Sequence, residues 1–123
     1  MSQSVDETLE FRPKWGADGL ITVVAVDAAS AAVLMVAHMN ADALAATLAT
    51  GEAHYFSRSR QSLWHKGATS GAIQRVVEIR VDCDQDCLLL IVESAGPACH
   101  TGRRACFYRR LDNGRLVMIG DQA

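Results

Sequence analysis

Carboxylates and thiols are concentrated in the stretch 81–110 of this chain, which holds all four cysteines. Its first part alternates the two kinds of side chain, as Asp82, Cys83, Asp84, Gln85, Asp86 and Cys87. In an extended segment successive side chains point to opposite faces, so we expect the carboxylates on one face and the thiols on the other. Crowded carboxylates repel each other unless a cation lies among them. Thiolates suit zinc and carboxylates suit magnesium, calcium or manganese, so the sequence predicts two different metal sites.

The spacing of the thiols indicates a catalytic zinc site. Cys83, Cys99 and Cys106 lack the paired CxxC spacing of a typical structural site. Three thiolates leave the fourth tetrahedral position for water, which is typical of catalytic zinc. His100 is either a neighbour of that water or a fourth zinc ligand, which would make the site structural. The alternative to a zinc site is that the thiols are free and buried. Cys87 is the spare thiol, expected to be a small core residue.

The aspartates leave two other interpretations. Asp82, Asp84 and Asp86 match the first ligand positions of an EF-hand, but Cys87 stands where that loop needs glycine. A solvated acidic edge without a metal is the second alternative. Disulfides are not expected, because nothing in the sequence indicates export.

Two groups of residues have the chemistry to bind phosphate, since arginine forks, lysine and hydroxyl groups all suit phosphate oxygens. Ordinary surface charge is the alternative for each residue. The first group lies in the stretch 58–70 and consists of Arg58, Ser59, Arg60, Lys66, Thr69 and Ser70, with Trp64 as a further substrate-binding candidate among them. The second group lies beside the thiols and consists of Arg103 and Arg104. Together they predict a small phosphorylated ligand.

Length and charge narrow the class of protein. At 123 residues the chain is expected to form a single domain, 1–123, with a loose N-terminal segment at 1–10. The net charge of −2 argues against a nucleic-acid partner. No apolar run approaches the roughly 20 residues that span a bilayer, and no signal peptide precedes the domain. We therefore expect a cytoplasmic protein without a membrane partner.

The elements that carry these residues are mostly strands. A helix is predicted at about 41–50, because Asn40 is a good N-cap and Gly51 a good C-terminal stop. Strands are predicted at 20–27, 32–39, 54–59, 73–82, 87–93, 105–111 and 115–119, with a loop at 60–72. Alternation in 73–82 places Val77 and Val81 on the apolar face, Asp82 on the wet face and Cys83 on the apolar side. The expected fold is α+β and β-rich, a curved, mostly antiparallel sheet with one clear helix.

Three segments, HYFSRSRQSLWHKGATSG, VDCDQDCLLLIVE and GPACHTGRRACFYRRL, resemble the phosphoribosyl-AMP cyclohydrolase family, and the likeness runs from about 19 to 111. The resemblance implies a hydrolase of histidine biosynthesis that opens the adenine ring of N1-(5-phosphoribosyl)-AMP at the N1–C6 bond. The product would be the formimino-aminoimidazole carboxamide ribonucleotide. The resemblance also implies an intertwined homodimer with one zinc per subunit, shared between Cys83 of one chain and Cys99 and Cys106 of the other. It places magnesium on Asp82, Asp84 and Asp86.

The implied chemistry is an attack of zinc-bound hydroxide on C6 of the purine, with His100 moving the proton. Three positions depart from the pattern usual in the family. Cys87 replaces a small residue such as alanine, His65 replaces arginine, and His38 replaces tyrosine. Two other functions remain open: a non-enzymatic, zinc-stabilised dimeric binding module, and a deaminase of a related purine nucleotide, which would release ammonia.

Overall fold

The computed structural model describes residues 4–119. Eight strands and one helix follow one another in that range: β1 Ile21–Asp27, β2 Val33–Met39, α1 Ala41–Thr50, β3 His54–Ser57, β4 Ser62–His65, β5 Gln74–Val81, β6 Cys87–Ser94, β7 Arg109–Asp112 and β8 Arg115–Met118. The β-rich fold with one helix at 41–50 is therefore confirmed for the described residues. None of these elements is a helix that is long and apolar enough to cross a membrane.

The main sheet has four strands in the order β2-β1-β6-β5. Strands β1 and β2 pair antiparallel, as do β5 and β6, but β1 and β6 run parallel. The sheet is thus mixed: two of its three pairings are antiparallel, in line with the predicted mostly antiparallel sheet, and the parallel pairing was not predicted. The parallel pair joins two strands that are far apart in sequence, with α1 and the β3–β4 hairpin between them.

One face of the sheet is closely covered. Alternate residues of the central strands have almost no exposed surface: Ile21, Val23, Ala25, Leu88, Leu90 and Val92. They form one core with residues of α1 and β3, including Ala43, Leu44 and Tyr55. On the opposite face, Val24, Leu89 and Ile91 remain half-buried. That second face is only partly covered within one chain.

Helix α1 begins and ends as its caps dictate. The Asn40 side chain accepts a hydrogen bond from the Ala43 N–H at 2.8 Å, which satisfies a donor that the first turn leaves free. Gly51 adopts a left-handed conformation (φ 75°) and donates to the Thr47 carbonyl. The chain then turns back, and the Gly51 carbonyl accepts from the Val76 N–H at 2.8 Å, so the helix end is tied to β5.

Strand β5 departs from the predicted alternation. The register with β6 shifts between Val76 and Glu78, which marks a bulge. As a result Gln74 is fully buried, while Val77 lies in the bulge and is 57% exposed. The prediction that Val77 faces the core is therefore wrong. Val81 pairs with the buried Leu88 and so lies on the predicted face, but on this edge strand it is still 40% exposed within one chain.

Two predicted elements have different bounds. The loop expected at 60–72 contains β4, which pairs with β3 from His54 opposite His65 to Ser57 opposite Ser62. The strand expected at 105–111 begins only at Arg109, and its hairpin with β8 turns at Asn113 and Gly114, both with positive φ. In the segment predicted to be loose, 1–10, residues 1–3 lie outside the described part, and Val5 and Glu10 accept hydrogen bonds from the Gln85 side chain.

Candidate active site

A cavity of about 1300 Å³ brings together two of the predicted groups. One wall comes from β3, β4 and the turns that follow them, and includes Arg58, Ser59, Arg60, Trp64, Lys66, Thr69 and Ser70. The other wall comes from the segment after β6 and includes Cys99, His100 and Cys106. The phosphate-binding candidates of the stretch 58–70 and two of the thiols therefore share one site.

The backbone holds Cys99 and Cys106 on the same side of the cavity. The Cys99 N–H donates to the Arg103 carbonyl at 3.1 Å, which closes a tight loop after Cys99. The Cys106 N–H donates to the Leu34 carbonyl of β2 at 2.7 Å, and Ala105 is buried in the core. This anchorage takes the place of the first part of the strand predicted at 105–111, and it explains how a loop can keep two thiols in place.

The two thiols influence each other's ionisation. Burial and the neighbouring Cys99 together raise the pKa of Cys106 to about 11, although the nearby Lys66 opposes the shift. Burial also opposes the ionised form of Cys99, but hydrogen bonds from the Thr101 hydroxyl, at 3.1 Å, and from the Thr101 N–H hold its pKa below the usual value. Cys99 is therefore the more acidic of the two thiols, and two sulfur atoms on one side of the cavity are a donor set that suits zinc.

Asp82, Asp84 and Asp86 also lie together. One carboxylate oxygen of each lies within 4.8 Å of the others, the spacing of ligands around a single ion. Hydrogen bonds with Asp82 and Asp84, together with desolvation and the negative charges of these two neighbours, raise the pKa of Asp86 to about 6. The donor set is all oxygen, as magnesium prefers. These residues therefore fit the predicted magnesium site.

The stretch 82–86 is a turn between β5 and β6, not an extended segment. Asp82 Oδ1 accepts hydrogen bonds from the Asp86 and Cys87 N–H groups, both at 3.0 Å, and closes this turn. The prediction that strand alternation separates the carboxylates from the thiols is therefore wrong. The carboxylates meet because the turn curves around Asp82.

Cys83 is exposed and lines a second cavity, of about 300 Å³, between the acidic turn and the N-terminal segment. Cys99 and Cys106 line the larger cavity instead. Within residues 4–119 of one chain, the aspartates form the only group of three or more residues with metal-ligand spacing. One chain therefore does not bring Cys83 together with Cys99 and Cys106.

Arg103 and Arg104 are not among the residues that line the large cavity. The Arg104 guanidinium donates to Asp27 Oδ2 at 3.2 Å, at the end of β1. The Arg103 guanidinium lies 4.1 Å from the centroid of the Tyr108 ring, a cation–π contact. In this arrangement both arginines tie the thiol loop to its surroundings.

Lys66 is an unusual cation, because its side chain is only 5% exposed. Its Nζ lies 5.5 Å from the centroid of the Trp64 ring. Burial lowers the pKa of Lys66, while the neighbouring Cys106 and Cys99 thiols oppose that shift. Lys66 thus lines the cavity as a buried cation that interacts electrostatically with both thiols.

His65 does not extend freely into the cavity. Its Nε2 pairs with Glu52 Oε1 at 2.7 Å, and its ring stacks on His54 with centroids 4.2 Å apart. The pair holds His65 against the end of α1. His38, which lines the large cavity, was noted in the sequence only as a departure from the family pattern. Gln85, buried inside the acidic turn, was not singled out at all.

Gly67 fixes the turn that carries Lys66. It has φ 87°, and a Cβ there would lie 2.2 Å from the Ile73 nitrogen. We expect Gly67→Ala to lower the free energy of unfolding by about 3 kcal/mol or more, because backbone strain and overlap add. Gly71→Ala is the matched control, since Gly71 has φ 84° but an open Cβ position, and it should cost about 1 kcal/mol. Urea denaturation of both variants measures the difference, and equal losses would contradict the packing argument.

Comparison with known proteins supplies a family for this site. The family model described as phosphoribosyl-AMP cyclohydrolase matches residues 35–108. A phosphoribosyl-AMP cyclohydrolase of Sphingopyxis alaskensis is 59% identical over 124 aligned residues, covering 100% of this chain and 98% of the relative. Proteins of the same name from Bradyrhizobium diazoefficiens and Rhodopseudomonas palustris are 60% and 62% identical, over 96% and 88% of this chain and 87% and 74% of the relatives.

Proposed function

The chain belongs to the phosphoribosyl-AMP cyclohydrolase family, and we propose that it hydrolyses N1-(5-phosphoribosyl)-AMP at the N1–C6 bond of the purine, in histidine biosynthesis. The observation that carries this proposal is the single large cavity shared by two of the family-like segments. Hydroxyl and basic groups suited to phosphate lie on one wall, and Cys99, His100 and Cys106 lie on the other. A nucleotide that carries phosphate fits such an arrangement of charge.

We propose that zinc is bound by Cys83, Cys99 and Cys106, and magnesium by Asp82, Asp84 and Asp86. Zinc held by three thiolates would lower the pKa of a water molecule to about 7 and so make it reactive at neutral pH. The paired ionisation of Cys99 and Cys106 and the 4.8 Å grouping of the carboxylates support these two donor sets.

The zinc site requires two chains, because Cys83 lines a different cavity from the other two thiols. We propose a homodimer in which Cys83 of one chain approaches Cys99 and Cys106 of its partner. The exposed valines of the edge strand β5, Val77 and Val81, lie just before Cys83. The half-buried face of the sheet, with Val24, Leu89 and Ile91, adds apolar surface that a second copy would cover.

The chain's own residues would position the substrate and move its protons. Arg58 and Arg60, exposed at the β3–β4 turn, would bind a phosphate, with Thr69 and Ser70 donating hydroxyl hydrogen bonds. The Trp64 ring offers a flat surface to the purine. His100, next to Cys99, would take a proton as the water oxygen bonds to C6 and return it to N1 as the N1–C6 bond breaks.

Incubation of the purified protein with N1-(5-phosphoribosyl)-AMP tests the proposal. Ring opening changes the ultraviolet absorbance of the purine, and we expect that change without release of ammonia. A deaminase would release one ammonia for each substrate consumed, and a binding module would leave the absorbance unchanged. Either result would contradict the proposed function.

A further inference from the structure

Gln85 is buried in the middle of an otherwise exposed acidic turn. Its side chain is 6% exposed, whereas Asp82, Asp84 and Asp86 on either side are exposed. Its backbone is left-handed, with φ 60°, a conformation that costs free energy for a residue with a Cβ. A glutamine kept in that conformation must be held by its contacts.

Within residues 4–119, the side-chain hydrogen bonds of Gln85 reach the N-terminal segment, residues 5–14. Its Oε1 accepts from the Arg12 N–H at 2.6 Å, and its Nε2 donates to the carbonyls of Glu10, at 3.2 Å, and Val5, at 3.4 Å. The Gln85 carbonyl also accepts from the Lys14 N–H at 2.7 Å. Every partner is a backbone atom, so the amide joins two stretches of main chain.

The backbone of Gln85, in contrast to its side chain, also takes part in the hydrogen bonds of the acidic turn. The Gln85 N–H donates to the Asp82 carbonyl at 3.1 Å, and Asp82 Oδ1 closes the turn onto the Asp86 N–H. Three negative charges within 4.8 Å repel each other and would open such a turn. The contact with residues 5–14 opposes that opening, because it fixes the residue between Asp84 and Asp86.

We propose that Gln85 is a positioning residue that anchors the acidic turn to residues 5–14 and thereby holds the three carboxylates at the spacing of a divalent cation. This inference rests on the magnesium site of the proposed function. Residues 5–14 lie outside the range 35–108 that the family model matches, so the inference makes the N-terminal segment part of the site. Groups that orient metal ligands commonly change metal affinity 10- to 100-fold when they are removed.

Gln85→Gly tests the inference in the full-length protein, because glycine removes the amide and is at ease at positive φ. Mn²⁺, titrated by electron paramagnetic resonance, is the probe, and loss of binding in Asp84→Asn assigns the signal to the acidic turn. We expect Gln85→Gly to weaken Mn²⁺ binding about tenfold. Asn113→Gly is the matched control, with φ 52° in the β7–β8 hairpin, and should leave affinity unchanged. Affinity within about twofold of wild type in Gln85→Gly would overturn the inference.

A second pair of variants breaks the same contact from the other side. Arg12→Pro removes the N–H that donates to Gln85, whereas Arg12→Ala keeps it. Residue 12 precedes Pro13 and is already restricted to extended conformations, which proline also adopts. We expect Arg12→Pro to weaken Mn²⁺ binding more than Arg12→Ala does, and to add little in combination with Gln85→Gly. Fully additive losses would contradict a shared contact.

Two further measurements separate this inference from the proposed function. The Lys14 amide should exchange its hydrogen faster in Gln85→Gly than in wild type, whatever reaction the protein catalyses. In a ring-opening assay, saturating Mg²⁺ should restore the turnover of Gln85→Gly, which a general loss of folding would not allow. Unchanged exchange would overturn the inference alone. Absent ring opening in the wild type would overturn the proposed function, while the Mn²⁺ titration still decides the role of Gln85.

Discussion

Cys99→Ser is expected to abolish zinc binding and to lower turnover by about a thousandfold or more. A serine hydroxyl is a harder ligand than a thiolate and stays protonated at neutral pH, so it replaces the sulfur poorly. Cys99 is the more acidic of the two thiols in the large cavity, so its loss removes the sulfur that ionises first. Zinc content by mass spectrometry, measured alongside kcat, checks both parts of the prediction.

Cys87→Ala provides the control for that experiment. Cys87 is half-buried at the start of β6, and burial together with Asp82, Asp86 and Asp84 raises the pKa of its thiol. It should therefore stay a neutral thiol and contribute nothing to zinc binding. We expect full zinc content and near wild-type turnover in Cys87→Ala. One zinc per subunit with normal turnover in Cys99→Ser would contradict the ligand assignment.

His100→Ala is expected to lower kcat by about 10²- to 10⁴-fold while zinc content stays at the wild-type level. We expect this loss because His100 follows Cys99 directly, lines the cavity and is exposed. Its ring can therefore exchange a proton with a substrate bound in the cavity. KM should change little, because the imidazole would act on the reacting atoms and not on the phosphates. Steady-state kinetics at several pH values, with metal analysis, measures these quantities.

His38→Ala is the comparison, since His38 lines the same cavity from β2. Burial and the nearby Arg58 lower the pKa of His38, so its ring is neutral at pH 7 and a poor source of protons. We expect His38→Ala to lower kcat by no more than about fivefold, because it would remove only packing or hydrogen bonds around the site. If His38→Ala reduced kcat as much as His100→Ala, the proton transfer would have to be reassigned.

Local signals predicted the elements that depend on a few neighbouring residues. The helix at 41–50 has the expected bounds, because the Asn40 cap and the left-handed Gly51 act through backbone groups close in sequence. The hairpin at Asn113 and Gly114 is a similar case, since both residues have the positive φ that its tight turn needs. Strand β4 was missed because the composition of 60–72 resembles a loop, and only its pairing with β3 makes it a strand.

The features that could not be predicted from the sequence depend on contacts between residues far apart in the chain or on the geometry of a turn. The bulge at Val77 depends on the pairing of β5 with β6, and it exposes Val77, which simple alternation assigned to the core face. The curvature that gathers the aspartates depends on Asp82 accepting two backbone hydrogen bonds. Gln85 was overlooked because the residues that hydrogen-bond its side chain lie 73 or more positions away in the sequence, near the other end of the chain.

Part of the grouping within the candidate site was predictable from sequence. The three aspartates Asp82, Asp84 and Asp86 do lie together, and Cys99 and Cys106 line one cavity, while the two metals stay a prediction. The stretch 58–70 does line the cavity with the thiols. Arg103 contacts the Tyr108 ring and Arg104 pairs with Asp27, so neither lines the cavity as predicted. These contacts depend on the tertiary fold and could not be predicted from the local sequence.

The sharing of one zinc site between two chains can be tested by mixing inactive variants. Cys83→Ser and Cys99→Ser should each be inactive alone, because every site in either dimer lacks one thiol. After subunit exchange between equal amounts, half of the dimers are mixed and hold one intact site, so about a quarter of the wild-type activity should return. Recovery near that level, with zinc regained in proportion, is the result that the account predicts. No recovery in a mixture shown to contain mixed dimers would contradict it.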